Sequence, residues 1–137
     1  MKDIKTLCEK IEIIPRKKII DSRGWFLKTI TGFEKSLSKS NFEIYTVFSE
    51  NGNSRGGHYH KKASEWFILI SGKATLVLKD IYSDESKTIE MDSDKPVTVV
   101  IPPFIAHRFD ARENKPFLLL AYTNLVYDPL DTVTYKF

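Results

Sequence analysis

Residues 52–72 read GNSRGGHYHKKASEWFILISG, and this stretch decides the fold. Gly52, His58, His60, Glu65 and Gly72 punctuate it. His58 and His60 are two apart, and in an extended strand such residues point to the same face. Lys61 to Ser64 reads as a turn, so Glu65 comes back on the adjacent strand. A later run, residues 101–109 (IPPFIAHRF), supplies His107. Proline cannot donate to a ladder, so Pro102-Pro103 ends one strand and His107 stands at the start of the next. Every histidine of the chain belongs to this set. Three imidazoles and a carboxylate suit a divalent metal, with zinc favoured, and His58, His60, Glu65 and His107 are the expected ligands. Glu65 precedes Trp66-Phe67-Ile68, where an ionised carboxylate needs a metal or a cation beside it. The plainer alternative is a set of hydrogen-bonded interior histidines with Glu65 in an ion pair.

The texture around this stretch is β. Short apolar and β-branched runs alternate with turn residues, roughly every ten positions, as in a sandwich or barrel. The expected strands are Cys8–Ile14, Lys17–Asp21, Gly24–Thr31, Phe42–Glu50, Gly57–Lys61, Glu65–Ser71, Lys73–Tyr82, Lys87–Met91, Val97–Ile101, His107–Ala111 and Phe117–Leu125. Residues 74–79 (ATLVLK) alternate cleanly, whereas Thr98-Val99-Val100-Ile101 reads as a strand buried on both faces. One short helix is expected, Thr31–Ser38. No repeat, low-complexity run or linker divides the chain, so residues 1–137 are read as one all-β domain.

Composition sets the surroundings. The chain has 137 residues, 42% hydrophobic and 28% charged, with a net charge of +3. That charge helps to attract an anionic small molecule but is too small and too scattered for a nucleic-acid surface. Arg16-Lys17-Lys18 and Lys61-Lys62 read as solvated faces. The single cysteine, Cys8, cannot form an intrachain disulfide and is read as structural. No signal peptide and no apolar run long enough to span a membrane are visible, so a cytoplasmic location is expected.

The stretch from Gly52 resembles the first motif of the cupin superfamily, G-x5-H-x-H-x3,4-E-x6-G, in full. The second motif is matched by Pro102 and His107, with Phe104 where the family has glycine and Ala111 where it has asparagine. Asp21-x-Arg23-Gly24-x-Phe26, Arg55-Gly56-Gly57-His58-Tyr59 and the run from Ala121 to Pro129 are similar to segments of dTDP-4-dehydrorhamnose 3,5-epimerases. The segments around His58–Leu78, Ile101–His107 and Asn124–Tyr135 also resemble the C-terminal cupin of capsule enzymes acting on UDP-linked 4-keto-6-deoxysugars. The R-G-x-H-x-H-K run and the chain size are similar to those of dTDP-4-keto-6-deoxyglucose 3,4-ketoisomerases.

These resemblances imply a cupin jelly-roll barrel and an isomerase or epimerase of a nucleotide-linked 4-keto-6-deoxyhexose, in the supply of sugars for surface polysaccharides. The C4 ketone acidifies its neighbouring C–H bonds, and the reaction needs a base, a proton donor and stabilisation of the enolate oxygen. By resemblance His58 is the base, Tyr122 the proton donor, and Arg23 and Arg55 hold the diphosphate, for which a planar fork is suited. Tyr45 and Lys73 are further substrate-binding candidates. Barrel-core packing is the alternative for Tyr122, and a strand-edge position the alternative for Lys73. The family implies no organic cofactor, and a homodimer in which the strands up to about Thr31 exchange between copies. The epimerases also orient their base with a distant carboxylate, for which Asp110 is the candidate. A non-catalytic sugar-binding cupin is the alternative function, and metal-dependent oxygen chemistry a third.

Overall fold

The computed structural model describes residues 4–34, 37–38 and 40–137. Its elements are α1 (Leu7–Lys10), β1 (Glu12–Pro15), β2 (Lys18–Asp21), β3 (Gly24–Leu27), β4 (Glu43–Ser49), β5 (Arg55–His60), β6 (Glu65–Ser71), β7 (Lys73–Asp80), β8 (Ser86–Asp92), β9 (Val97–Ile101), β10 (Ile105–Ala111), β11 (Phe117–Thr123) and β12 (Thr132–Thr134). Two five-stranded antiparallel sheets, ordered β1-β9-β6-β11-β4 and β12-β5-β10-β7-β8, enclose one apolar core. This is the jelly-roll barrel expected of a cupin. The pair β2-β3 forms a separate two-stranded sheet.

Alternation works as the sequence requires. In β7, Ala74, Leu76 and Leu78 are buried in the core, while Lys73 is exposed and Thr75, Val77 and Lys79 are partly so. The β9 strand lies between β1 and β6, so Thr98, Val99 and Ile101 are all buried. Phe67 and Leu69 of β6 face Leu76 and Leu78 across the barrel interior, within one cluster.

Cys8–Lys10, expected as strand, is helical. Thr6 caps the turn by accepting the Glu9 N–H, and Leu7 and Ile11, four apart, both enter the core. Residues 31–34 and 37–38 of the expected helix are bends and irregular chain, and Lys35 and Ser36 lie outside the described residues.

Glu34 ties this loop to the barrel. Its carboxylate accepts the N–H groups of Thr31 (2.9 Å) and Gly32 (2.9 Å) and pairs with the Arg16 guanidinium. Arg16 Nε in turn donates to Thr98 Oγ1 at 3.0 Å. Burial pushes the Glu34 carboxyl up, but the Thr31 and Arg16 donors outweigh it and hold the group at about 2, below its ordinary 4.5. The stability from Glu34 is therefore complete above the ordinary value and is lost as pH falls toward about 2. Glu34→Gln should lower the urea midpoint at about pH 6, and the gap to the unmodified protein should close on acidification. A gap independent of pH would contradict this assignment.

Candidate active site

Two cross-strand pairings build the site. His107 of β10 stands opposite His58 of β5, and Thr132 of β12 stands opposite His60. The β10–β5 register shifts after His107, next to Gly56. A Cβ on Gly56 would lie 3.0 Å from the His107 carbonyl oxygen, so glycine in the R-G-G-H run lets these strands approach. Glu65 enters from β6 of the opposite sheet. Its Oε1 lies 2.6 Å from His60 Nε2 and 3.5 Å from His107 Nε2. The His58 ring centroid is 5.0 Å from that of His60 and 4.8 Å from that of His107. One donor atom from each of His58, His60, Glu65 and His107 lies within 4.8 Å of the others.

A second ring of contacts orients these groups. Glu65 Oε2 accepts the Tyr45 hydroxyl. His107 Nδ1 donates to the Ile105 carbonyl at 3.0 Å, which leaves Nε2 with its lone pair toward Glu65. His60 Nδ1 lies 3.3 Å from the Thr132 hydroxyl and 3.6 Å from an Asp131 oxygen. Three buried atoms, His60 Nε2, Glu65 Oε1 and His107 Nε2, nevertheless have no hydrogen-bond partner; the 2.6 Å approach has the length of a hydrogen bond but not its angle. (The fourth such atom among the described residues, Trp66 Nε1, is on the other face of β6.) Buried polar atoms without partners are costly and rare. Three that converge on one point fit a metal; the 3.5 Å separation is near the roughly 3.4 Å between two ligands of a tetrahedral centre, and the 2.6 Å one would widen on binding.

Burial pushes the Glu65 carboxyl up, but His107 and His60 outweigh it and hold the group well below the usual carboxylate range. Burial first, then the charges of His107 and His60, lower His58 to about 4 against a smaller opposing effect of Glu65, so its ring is neutral at pH 7. Burial and then the Glu65 charge push the Tyr45 phenol up, so it remains a donor.

The cluster lies in a cavity of about 480 Å³, the size of a small-molecule site. Arg55 and Tyr45 line it, as expected. Tyr122 does not. In β11 the residues Leu119, Ala121 and Thr123 alternate inward, which sends Tyr122 to the outer face. There its ring packs against Trp66 and Phe42, and its hydroxyl accepts the Ser38 N–H at 2.9 Å. Lys73 opens β7 outside the cavity, 4.0 Å from Asp92. Arg23 lies in the β2–β3 turn, exposed and paired with Asp21 at 2.7 Å. Asp110 is taken up by Arg108 and Ser54, so it does not orient a histidine.

Tyr127, Asp131 and Thr132 also line the cavity and escaped the sequence reading. Asp131 accepts the N–H groups of Lys61 (3.1 Å), Lys62 (2.7 Å) and Ala63 (3.2 Å), and so fixes the turn between His60 and Glu65. Asp131→Ala would strand the Lys62 and Ala63 donors, while Lys61 keeps the Asp131 carbonyl at 3.1 Å, and should cost about 2–4 kcal/mol in denaturant-monitored stability. A change below about 0.5 kcal/mol would show that water replaces the carboxylate at no loss.

The chain matches the sequence model of the family described as polysaccharide biosynthesis C-terminal domain over residues 19–135. It is 24% identical over 128 residues to the spore coat polysaccharide biosynthesis protein SpsL of Bacillus subtilis (strain 168), covering 90% of this chain and 84% of that protein. It is 25% identical, with a TM-score of 0.74, to a mutant of the 3,4-ketoisomerase QdtA from Thermoanaerobacterium thermosaccharolyticum solved in complex with TDP-4-keto-6-deoxyglucose, covering 90% of this chain and 86% of that one. A dTDP sugar isomerase from Desulfovibrio desulfuricans G20 shares the fold, with a TM-score of 0.84 at 17% identity over 93% of this chain and 85% of that one.

Proposed function

The chain belongs to the polysaccharide biosynthesis C-terminal domain family, and from that premise we propose that it is a sugar-nucleotide isomerase acting beside the C4 ketone of a nucleotide-linked 4-keto-6-deoxyhexose. The observation that carries this reading is His58, a neutral imidazole lining a cavity of sugar-nucleotide size.

His58 would take a proton from the carbon next to the ketone. Arg55, at the start of β5 on the cavity wall, suits the diphosphate. Tyr127 lines the same cavity and takes the proton-donor place that Tyr122, on the outer face, does not reach. A divalent ion, zinc by its donor set, would be held by the histidine–glutamate cluster and would supply positive charge to the developing enolate oxygen. Tyr45 is spoken for by Glu65 and serves the cluster rather than the sugar.

Arg55 is the one arginine or lysine lining the cavity among the described residues, whereas Glu43 and Asp128 also face it. A diphosphate calls for more positive charge. The β2–β3 hairpin carries Arg23 at its turn and exposes Ile19, Ile20, Trp25 and Phe26. Both facts favour a homodimer in which this hairpin crosses to a second copy and brings Arg23 to its cavity. No helix among the described residues is long and apolar enough to cross a membrane. The cytoplasm, where nucleotide sugars are made, is the proposed location.

The test is incubation with TDP-4-keto-6-deoxyglucose in D2O, read by proton NMR. Deuterium should appear at carbon 3 and be absent with His58→Asn. Binding of the nucleotide sugar without exchange would replace this reading with the non-catalytic cupin, which the outward position of Tyr122 favours.

A further inference from the structure

Three of the four clustered side chains are anchored through a second atom. Glu65 is held by the Tyr45 hydroxyl on Oε2. His107 is held by the Ile105 carbonyl on Nδ1. His60 Nδ1 faces the Thr132 hydroxyl and the Asp131 carboxylate. The ring of His58 has no such anchor among the described residues; it meets His60 and His107 edge-on through ring contacts. Burial differs in the same way at the other end of each side chain. Within the cluster the fully buried atoms without partners are His60 Nε2, Glu65 Oε1 and His107 Nε2, whereas the His58 ring is only partly buried and lines the cavity.

We propose that the metal is held by His60, Glu65 and His107 alone, and that His58, although within reach of the same point, is not a required ligand. Two imidazoles and one glutamate with a fourth position open make a recognised zinc donor set. Anchoring at the far nitrogen or oxygen fixes ring orientation and raises ligand basicity, and its loss costs roughly 10–100-fold in metal affinity. The unanchored ring must surrender its rotamer freedom on ligation and gains no such support. The division also resolves a conflict of roles, because a nitrogen that gives its lone pair to a metal cannot use it on a substrate proton. His58 keeps its one lone pair for the cavity side, and Tyr45, Thr132 and Asp131 become positioning residues of the metal.

This inference rests on the reading of the cluster as a divalent-metal site, and its test needs no sugar. The chelator-treated full chain is titrated with zinc in competition with a chromophoric chelator, and cobalt(II) spectra are recorded in parallel. His58→Ala and His58→Gln should bind zinc within about 10-fold of the unmodified protein, with an unchanged cobalt spectrum. His60→Ala and His107→Ala should lose more than about 100-fold, and Tyr45→Phe and Thr132→Val about 10-fold or more. Circular dichroism of each apo variant checks the fold. If both His58 variants lose zinc as severely as His60→Ala, or if the unmodified protein binds no divalent metal, the three-ligand assignment is overturned. The deuterium exchange described above reads the isomerase assignment separately.

Discussion

His58→Asn should lower kcat on a 4-keto-6-deoxy sugar nucleotide by about 10²- to 10⁴-fold, with little change in KM and none in the thermal midpoint. His60 and His107 turn their Nε2 atoms toward Glu65 in the buried cluster rather than toward the open cavity. His58 is the remaining imidazole, lowered to about 4 by burial and the neighbouring rings, and hence unprotonated at neutral pH. Asparagine fills similar space and cannot accept a proton from carbon. An equal fall in kcat and kcat/KM would place the lost interaction in the transition state. A rise in KM at constant kcat would instead make His58 a substrate-binding residue.

Gly72→Ala should destabilise the protein by about 3–5 kcal/mol, a large part of the stability of a small domain. Gly72 lies between β6 and β7 with φ of +88°, a left-handed conformation that costs an L-residue about 1–2 kcal/mol. Space is the greater obstacle. A Cβ there would lie 2.5 Å from the Pro116 carbonyl oxygen and 3.2 Å from Phe117 Cα, both backbone atoms that cannot swing aside. Phe117 begins β11, paired to β6, so relief would drag one sheet strand from its partner. Urea unfolding measures the loss, and a midpoint near that of the unmodified protein would show that the β6–β7 corner yields freely.

The strands β6 and β9 were legible to the residue, because turn residues flank apolar, β-branched runs of the right length. The grouping of His58, His60 and Glu65 was equally legible, since spacing by two within one strand and return across one turn are local facts; His107 joins them through the β10–β5 pairing. What failed was parity and distance. Phe117 to Tyr122 reads FLLLAY, an unbroken apolar run in which nothing marks inward from outward, so the outward turn of Tyr122 could be found only by counting from Leu119 in the core. The turn Thr6-Leu7-Cys8-Glu9 carries a helix-capping pattern that was overlooked beside the β-rich segment after it. The three-residue β12 exists through its pairing with β5. Asp131 meets Lys61 across 70 residues of sequence, with no periodicity to announce it. Phe104 holds a left-handed φ of 65°, a conformation that favours glycine and that no residue type in the run PPFIAH announces.

The turn between His60 and Glu65 is tied down by residues made long after it: Asp131 through three N–H groups, and Asn124 through the Ser64 N–H at 2.9 Å. During synthesis the strands bearing His58, His60, Glu65 and His107 leave the ribosome before either tether exists. A nascent chain halted before Asn124 therefore carries all four clustered side chains but neither tether of the turn between His60 and Glu65. A metal at the proposed site would then be captured late in translation, once Asp131 has emerged.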